Sequence, residues 1–129
     1  MGEIIKLAIV GSRTFDDYEC LCKETTSRFK IEDIEYIVSG GARGADSLGA
    51  RFARENGIQL LEFKADWKTY GKVAGFIRNH DIVKACTHCL AFWDGQSPGT
   101  KHDIDLCEQY GKVCIVVSVK VREVVRKKR

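Results

Sequence analysis

Apolar and polar positions along this chain switch repeatedly between two periods, and the switching predicts a regular succession of strands and helices. Ile4–Val10 is an apolar run ending at Gly11, as a buried strand would. Residues 16–30 then carry Tyr18, Leu21, Cys22, Thr25 and Phe29 at helical spacing. Tyr36–Val38 reads as a short strand that stops at Ser39-Gly40-Gly41. Ala45, Leu48, Gly49, Phe52 and Ala53 form one narrow helical face, closed by Asn56-Gly57. The small Ala45 and Gly49 suit close packing on a sheet. Ile58–Phe63 is a third strand, and 72–85 is a third helix with Ala74, Ile77, Ile82 and Ala85 facing inward. His88–Trp93 follows, broken by Asp94-Gly95. A helix from about Thr100 to Tyr110 stops at Gly111, and Val113–Val119 is rich in valine, as a covered parallel strand would be.

The strict βαβαβαβαβ alternation predicts an α/β domain over 1–119: a five-stranded parallel sheet with helices on both faces, because each crossover must cover the sheet. The strand order 3-2-1-4-5 is the natural expectation, with 2-1-3-4-5 as the alternative. Residues 120–129 read as a basic tail. The net charge is +3, and subtracting the four charges of Arg126–Arg129 leaves −1 for the other 125 residues. The body therefore lacks the cationic footprint of a nucleic-acid-binding surface, and only the tail offers nucleic acid an electrostatic contact.

With 44% hydrophobic residues the chain has enough apolar material for a core. The N-terminus lacks the basic start and uninterrupted apolar stretch of a signal peptide, and Val113–Val119 is far short of the roughly 20 residues that span a bilayer. These features predict a cytoplasmic protein with no membrane partner. Six cysteines would then stay reduced rather than pair. Cys86-Thr87-His88-Cys89 and Cys20-x-Cys22 lack a second, suitably spaced ligand pair, so no metal ligands are expected.

In open α/β sheets, ligands sit beyond the carboxyl ends of strands where the winding reverses. For the order 3-2-1-4-5 this crevice lies between strands 1 and 4, with strand 2 adjacent. The glycine-rich breaks fall after those strands: Gly11-Ser12-Arg13, Ser39-Gly40-Gly41-Ala42-Arg43-Gly44, and Asp94-Gly95-Gln96-Ser97-Pro98-Gly99-Thr100. The turn after strand 3, Lys64-Ala65-Asp66-Trp67, has no glycine. Glycine lets backbone N–H groups approach an anion, and the helices starting near Ala45 and Thr100 each present unpaired N–H groups and a positive dipole end. Arg13 and Arg43 can add forked bonds to phosphate oxygens. Arg78 and Asn79 are read as reaching into the crevice, the alternative being a surface Arg78–Asp81 pair. Neither G-x-G-x-x-G nor G-x-x-x-x-G-K-[ST] occurs, which weakens dinucleotide-dehydrogenase and P-loop readings. The expected ligand set is Gly11, Ser12, Arg13, Ser39, Gly40, Gly41, Arg43, Gly44, Arg78, Asn79, Asp94, Ser97, Gly99 and Thr100. Of the aromatics Trp67, Tyr70 and Trp93, Trp93 is the best placed to stack on a base.

These segments together resemble the SLOG superfamily, in particular its YspA-like branch. The matching pieces include Ile9–Arg13, Val38–Asp46, Ala65-Asp66-Trp67, Gly71–Asn79 and Ala91–Gly95 through Ser97–Thr100. The resemblance implies a Rossmann-like three-layer fold and a nucleotide-derived phosphate ligand, bound by a sensor or processing domain. No cofactor is implied, and assembly of several copies is left open. Ser97–Asp103 is similar to the P-G-G-x-G-T-x-x-E signature of LOG-type phosphoribohydrolases, with Asp103 where their glutamate stands. On that resemblance Asp103 and Arg78 would be catalytic in an N-glycoside hydrolase of nucleoside monophosphates. Val38–Asp46 is similar to the V-S-G-x-A-R-G-I-D run of DprA, which implies single-stranded DNA binding as a further alternative. Asp46 is expected to cap or brace its loop.

Overall fold

The computed structural model describes residues 3–120; the basic tail lies, from residue 121 onward, outside the described residues. Strands β1 (Ile5–Gly11), β2 (Ile34–Ser39), β3 (Gln59–Glu62), β4 (His88–Trp93) and β5 (Val113–Ser118) are all parallel and lie in the order β3-β2-β1-β4-β5. This is the expected order, not its alternative. Helices α1 (Tyr18–Thr26), α2 (Ala45–Glu55), α3 (Trp67–Tyr70), α4 (Ala74–Ala85) and α5 (Pro98–Gln109) supply the crossovers.

Successive strand side chains point to opposite faces, so a sheet covered on both sides needs apolar residues at every position. Leu7, Ile9, Ile37, Leu90 and Phe92 pack with Leu21 of α1 and Phe52 and Ala53 of α2. Ala8, Val10, Val38, Cys89 and Ala91 pack on the other face with Ile82 and Val83 of α4 and Leu106 and Cys107 of α5. Two cores therefore sandwich the three central strands. Phe15, from the loop after β1, stacks on Phe92 with ring centroids 5.0 Å apart and closes the first core beneath the carboxyl ends.

Helix α2 approaches β1 closely because Gly49 has no side chain. A Cβ there would lie 2.9 Å from Ile9 Cβ. Gly49→Ala should therefore cost about 2 kcal/mol through overpacking, measured as a lowered urea midpoint with unchanged slope. A midpoint equal to that of the parent chain would refute this packing account.

Three boundaries differ from expectation. The helix expected over 16–30 ends at Thr26, and Ile31–Asp33 form a 3-10 turn before β2. The helix expected from about Thr100 begins at Pro98, whose fixed φ and missing N–H suit a first helical position. The helix expected over 72–85 begins at Ala74, preceded by α3 and a 3-10 turn at Gly71–Val73; Asp66 caps α3 by accepting from Thr69 N at 3.1 Å. Its inward face also differs. Ile77 is 40% exposed, whereas Ala74, Asn79, Ile82 and Val83 are buried. Asn79 occupies the inward arc because its amide finds polar partners on the α5 side, so counting apolar residues alone rotates the face by about one position.

Candidate functional site

The three glycine-rich breaks meet in space at the carboxyl ends of β1, β2 and β4. Ser12 is the hub. Its N–H donates to Phe92 O at 3.0 Å, its carbonyl accepts from Ala45 N at 3.3 Å, and its hydroxyl accepts from Asp94 N at 3.2 Å. Ser97 Oγ lies 3.0 Å from the same hydroxyl. Gly44 makes this closure possible: it has φ +78°, and a Cβ on it would lie 2.2 Å from Ser12 O.

Two adjoining hollows open over the junction, of about 490 and 450 Å³, sharing Arg13, Ala42, Trp67 and Arg78 in their walls. The smaller is basic, with Arg13, Arg43, Lys64 and Arg78 around the Gly40-Gly41 backbone. The larger runs from Gly11 to the start of α5, and its walls include Asp46, Asn79, Thr100 and Asp103. Trp67, 52% exposed, stands where they join.

Buried carboxyls set the electrostatics of the larger hollow. Asp46 accepts from Gly40 N at 3.1 Å and Ala42 N at 3.4 Å, bracing the loop as expected. Burial pushes its carboxyl up to about 6, against the opposing pull of Arg78 and the two amide donors. Asp103 is 5% exposed, and its Oδ1 has no hydrogen-bond partner. Burial, with the neighbouring Asp46 charge behind it, raises Asp103 well above the ordinary carboxylate range. Asp94 is held in the opposite direction: amide donation from Ser97 N at 2.8 Å and Gln96 N at 2.9 Å lowers its carboxyl. Arg78 donates through Nη1 to Gly40 O and through Nε to Asn79 Oδ1 at 3.2 Å. It therefore reaches into the crevice and forms no ion pair with Asp81.

Of the expected ligand set, Gly11, Arg13, Gly40, Gly41, Arg43, Arg78, Asn79, Asp94, Ser97, Gly99 and Thr100 line the hollows, as does Asp103. Ser12, Ser39 and Gly44 do not line them. Ser12 and Ser39 are buried and spent on the scaffold, Ser39 Oγ donating to Asp46 O at 3.1 Å. The loop after β2 is less open to an anion than its glycines suggest. Gly40 and Ala42 amides are taken by Asp46, and Gly41 N donates to Ser39 Oγ at 3.2 Å. Asn79 is likewise committed, its Nδ2 lying 3.4 Å from Gly99 O and 3.1 Å from His102 Nδ1.

Trp93 does not line either hollow; its Nε1 donates to Ser97 O at 3.1 Å and stiffens the loop. Trp67 takes the wall position instead, with Lys64 and Ala65 from the glycine-free turn, Lys72 from the 3-10 turn, and Gly75 and Phe76 from the first turn of α4. Glycine content points to sites built from backbone, so it misses walls made by side chains reaching across from a neighbouring crossover. The sequence signal available was the clustering of Trp67 with Lys64, Lys68 and Lys72 in a segment without a core period.

A family model for the YspA, cpYpsA-related SLOG family matches residues 5–70, from β1 through α3. The chain belongs to this SLOG family. Gene 61 protein of Mycobacterium phage D29 is 44% identical over 108 residues, covering 75% of this chain and 83% of the phage protein. Among solved structures, DNA processing protein A (DprA) from Streptococcus pneumoniae aligns over 93% of the chain with TM-score 0.73 and 17% identity. DNA processing protein A from Helicobacter pylori, a structure described for its single-stranded DNA binding mode, aligns over 94% with TM-score 0.63 and 20% identity. At such identities the likeness shows the fold alone, and this SLOG chain spans 52% of the Streptococcus structure and 68% of the Helicobacter one. The match over 5–70 contains Arg13, the Gly40–Gly44 loop and Trp67, whereas Arg78, Asn79 and the 94–103 segment lie beyond it. Among the described residues no helix is long and apolar enough to cross a membrane.

Proposed function

We propose that this SLOG chain binds a nucleotide-derived ligand, with its phosphate in the basic hollow and its ribose and base in the larger one. The observation that carries this reading is the adjacency of two chemically different compartments. Arg13, Arg43 and Lys64 surround one, and the buried, unpartnered Asp103 stands in the wall of the other. Arg13 and Arg43 are exposed and make no ion pair among the described residues, so their forks are open to phosphate oxygens. Trp67 at the junction offers a face for a base. The N-terminus of α5 adds the Gly99 and Thr100 amides and a positive dipole end.

Isothermal titration against nucleoside mono- and diphosphates, cyclic nucleotides and dinucleotides should give at least one micromolar binder. Arg43→Glu, a change at an exposed position, should abolish that binding while leaving the melting temperature within about a degree. Silence across the whole panel, or full binding by the Glu variant, would remove the reading.

A second reading, hydrolysis of a base–ribose bond, is supported by Asp103 alone. A carboxyl that burial makes hold its proton more tightly than usual can hydrogen-bond ribose hydroxyls or give a proton to a leaving base. Chromatographic detection of free base tests this, with Asp103→Asn expected to stop release while ligand still binds. A third reading, single-stranded DNA binding, draws on the four positive charges of Arg126–Arg129 and predicts a steep salt dependence.

A further inference from the structure

Outside the two hollows, three of the six free cysteines come together. Cys89 is the second residue of β4 and Cys114 the second of β5, and the two are register partners on adjacent parallel strands. Adjacent register partners carry their side chains on the same face, here the α5 side. Cys107, near the end of α5, stands over both. The three sulfurs lie within 4.8 Å of one another. We propose that Cys89, Cys107 and Cys114 form a three-sulfur site for a thiophilic d10 cation of the Cu(I), Zn(II), Cd(II) class.

The donor set supports this class. Metal–sulfur bonds of about 2.3 Å in a trigonal arrangement put the sulfurs about 4 Å apart, so the observed cluster needs only small side-chain rotations to close on an ion. The ligand group is three sulfurs with no carboxylate among them, which disfavours hard cations such as Mg²⁺ and Ca²⁺, whereas soft thiolates select Cu(I) and Zn(II). Cys89 and Cys107 are buried in the second core, among Ala8, Ala91 and Leu106, and the half-buried Cys114 provides the way in. Cys86 belongs to the same core but is engaged elsewhere, its thiol donating to Val83 O at 3.3 Å.

The cluster sits at the amino ends of β4 and β5, the opposite end of the sheet from the glycine-rich breaks. Nucleotide binding and metal binding are thus separable, and either can fail without the other. Spacing hides the site from sequence inspection: the three cysteines come from two strands and a helix and match no ligand motif.

The test uses the full chain, reduced with a phosphine and titrated anaerobically with Cd²⁺. One equivalent should produce a thiolate-to-metal charge-transfer band and raise the melting temperature, since an ion that binds only the folded state stabilises it. Cys114→Ser and Cys107→Ala should each lose the band while keeping the far-ultraviolet circular dichroism of the parent, and Cys86→Ser should keep it. X-ray absorption of the loaded protein should show a sulfur shell of three. Absence of the band in the parent, persistence in Cys114→Ser, loss in Cys86→Ser, or a shell of nitrogen and oxygen would each overturn the assignment and leave three small apolar side chains packed in a core. Should the single variants unfold, the sulfur count in the parent protein still decides.

Discussion

Arg78→Ala should weaken binding of the nucleotide-type ligand by at least about 100-fold and lower the folding free energy by about 2 kcal/mol. Two of the five guanidinium donors are committed, to Gly40 O and Asn79 Oδ1, and the side chain lines both hollows. Three donors remain for a ligand in the hollows that Arg78 lines. The same cation offsets the buried Asp46 and Asp103 carboxyls, holding both lower than burial alone would. Its removal therefore costs twice: a ligand contact is lost, and two acids are left without their nearest positive charge. Arg78→Lys separates the effects. A lysine keeps the charge but not the fork, so most of the stability should return while binding recovers only in part. Calorimetric titration and urea unfolding of both variants check this, and an alanine variant that binds like the parent would refute the placement of Arg78 against the ligand.

Asp103→Asn should do the reverse to stability. Asp46 and Asp103 both bind their protons more tightly in the folded chain than in the unfolded one, Asp46 moving from 3.8 to about 6 and Asp103 higher than its ordinary value. Groups shifted upward in this way stabilise the fold at low pH, and that contribution is lost as pH rises through the folded-state values. Stability should therefore fall between about pH 4 and pH 6 as Asp46 ionises, by about 3 kcal/mol if its shift acts alone. Asp103, shifted in the same direction by burial, adds to the fall. Asparagine at 103 cannot ionise and relieves Asp46 of a neighbouring acid, so the variant should be more stable than the parent at pH 8 and show a shallower pH slope. Urea midpoints from pH 4 to 8 measure both quantities. A variant less stable at pH 8, with the parent's slope, would show that Asp103 is a structural acid and not one held in reserve for a ligand. Base release should meanwhile stop in the same variant while the ligand still binds, since a residue kept at a stability cost in a cavity wall is the kind that function maintains.

What the amino-acid order determined by itself was the layered architecture and the place of the crevice. Period-two and period-3.6 patterns are local, so alternation of Ile4–Val10, the 45–53 helical face and the later segments was enough to imply a doubly covered parallel sheet. Glycine breaks at 11, 40–44 and 95–99 mark where backbone must turn tightly or approach closely, and they located the carboxyl-end junction for the same reason. The tertiary structure decided which polar groups are free. Whether the Gly40 and Ala42 amides meet a ligand or Asp46, and whether Ser12 lines a cavity or ties Asp94 to β1, depends on hydrogen bonds closed across the fold. Only the folded chain could choose Trp67 over Trp93, turn Ile77 outward and Asn79 inward, or gather Cys89, Cys107 and Cys114. Hydrophobic period fixes which face of an element is buried, but a buried polar atom's partner is set by distances in space that no sequence spacing encodes.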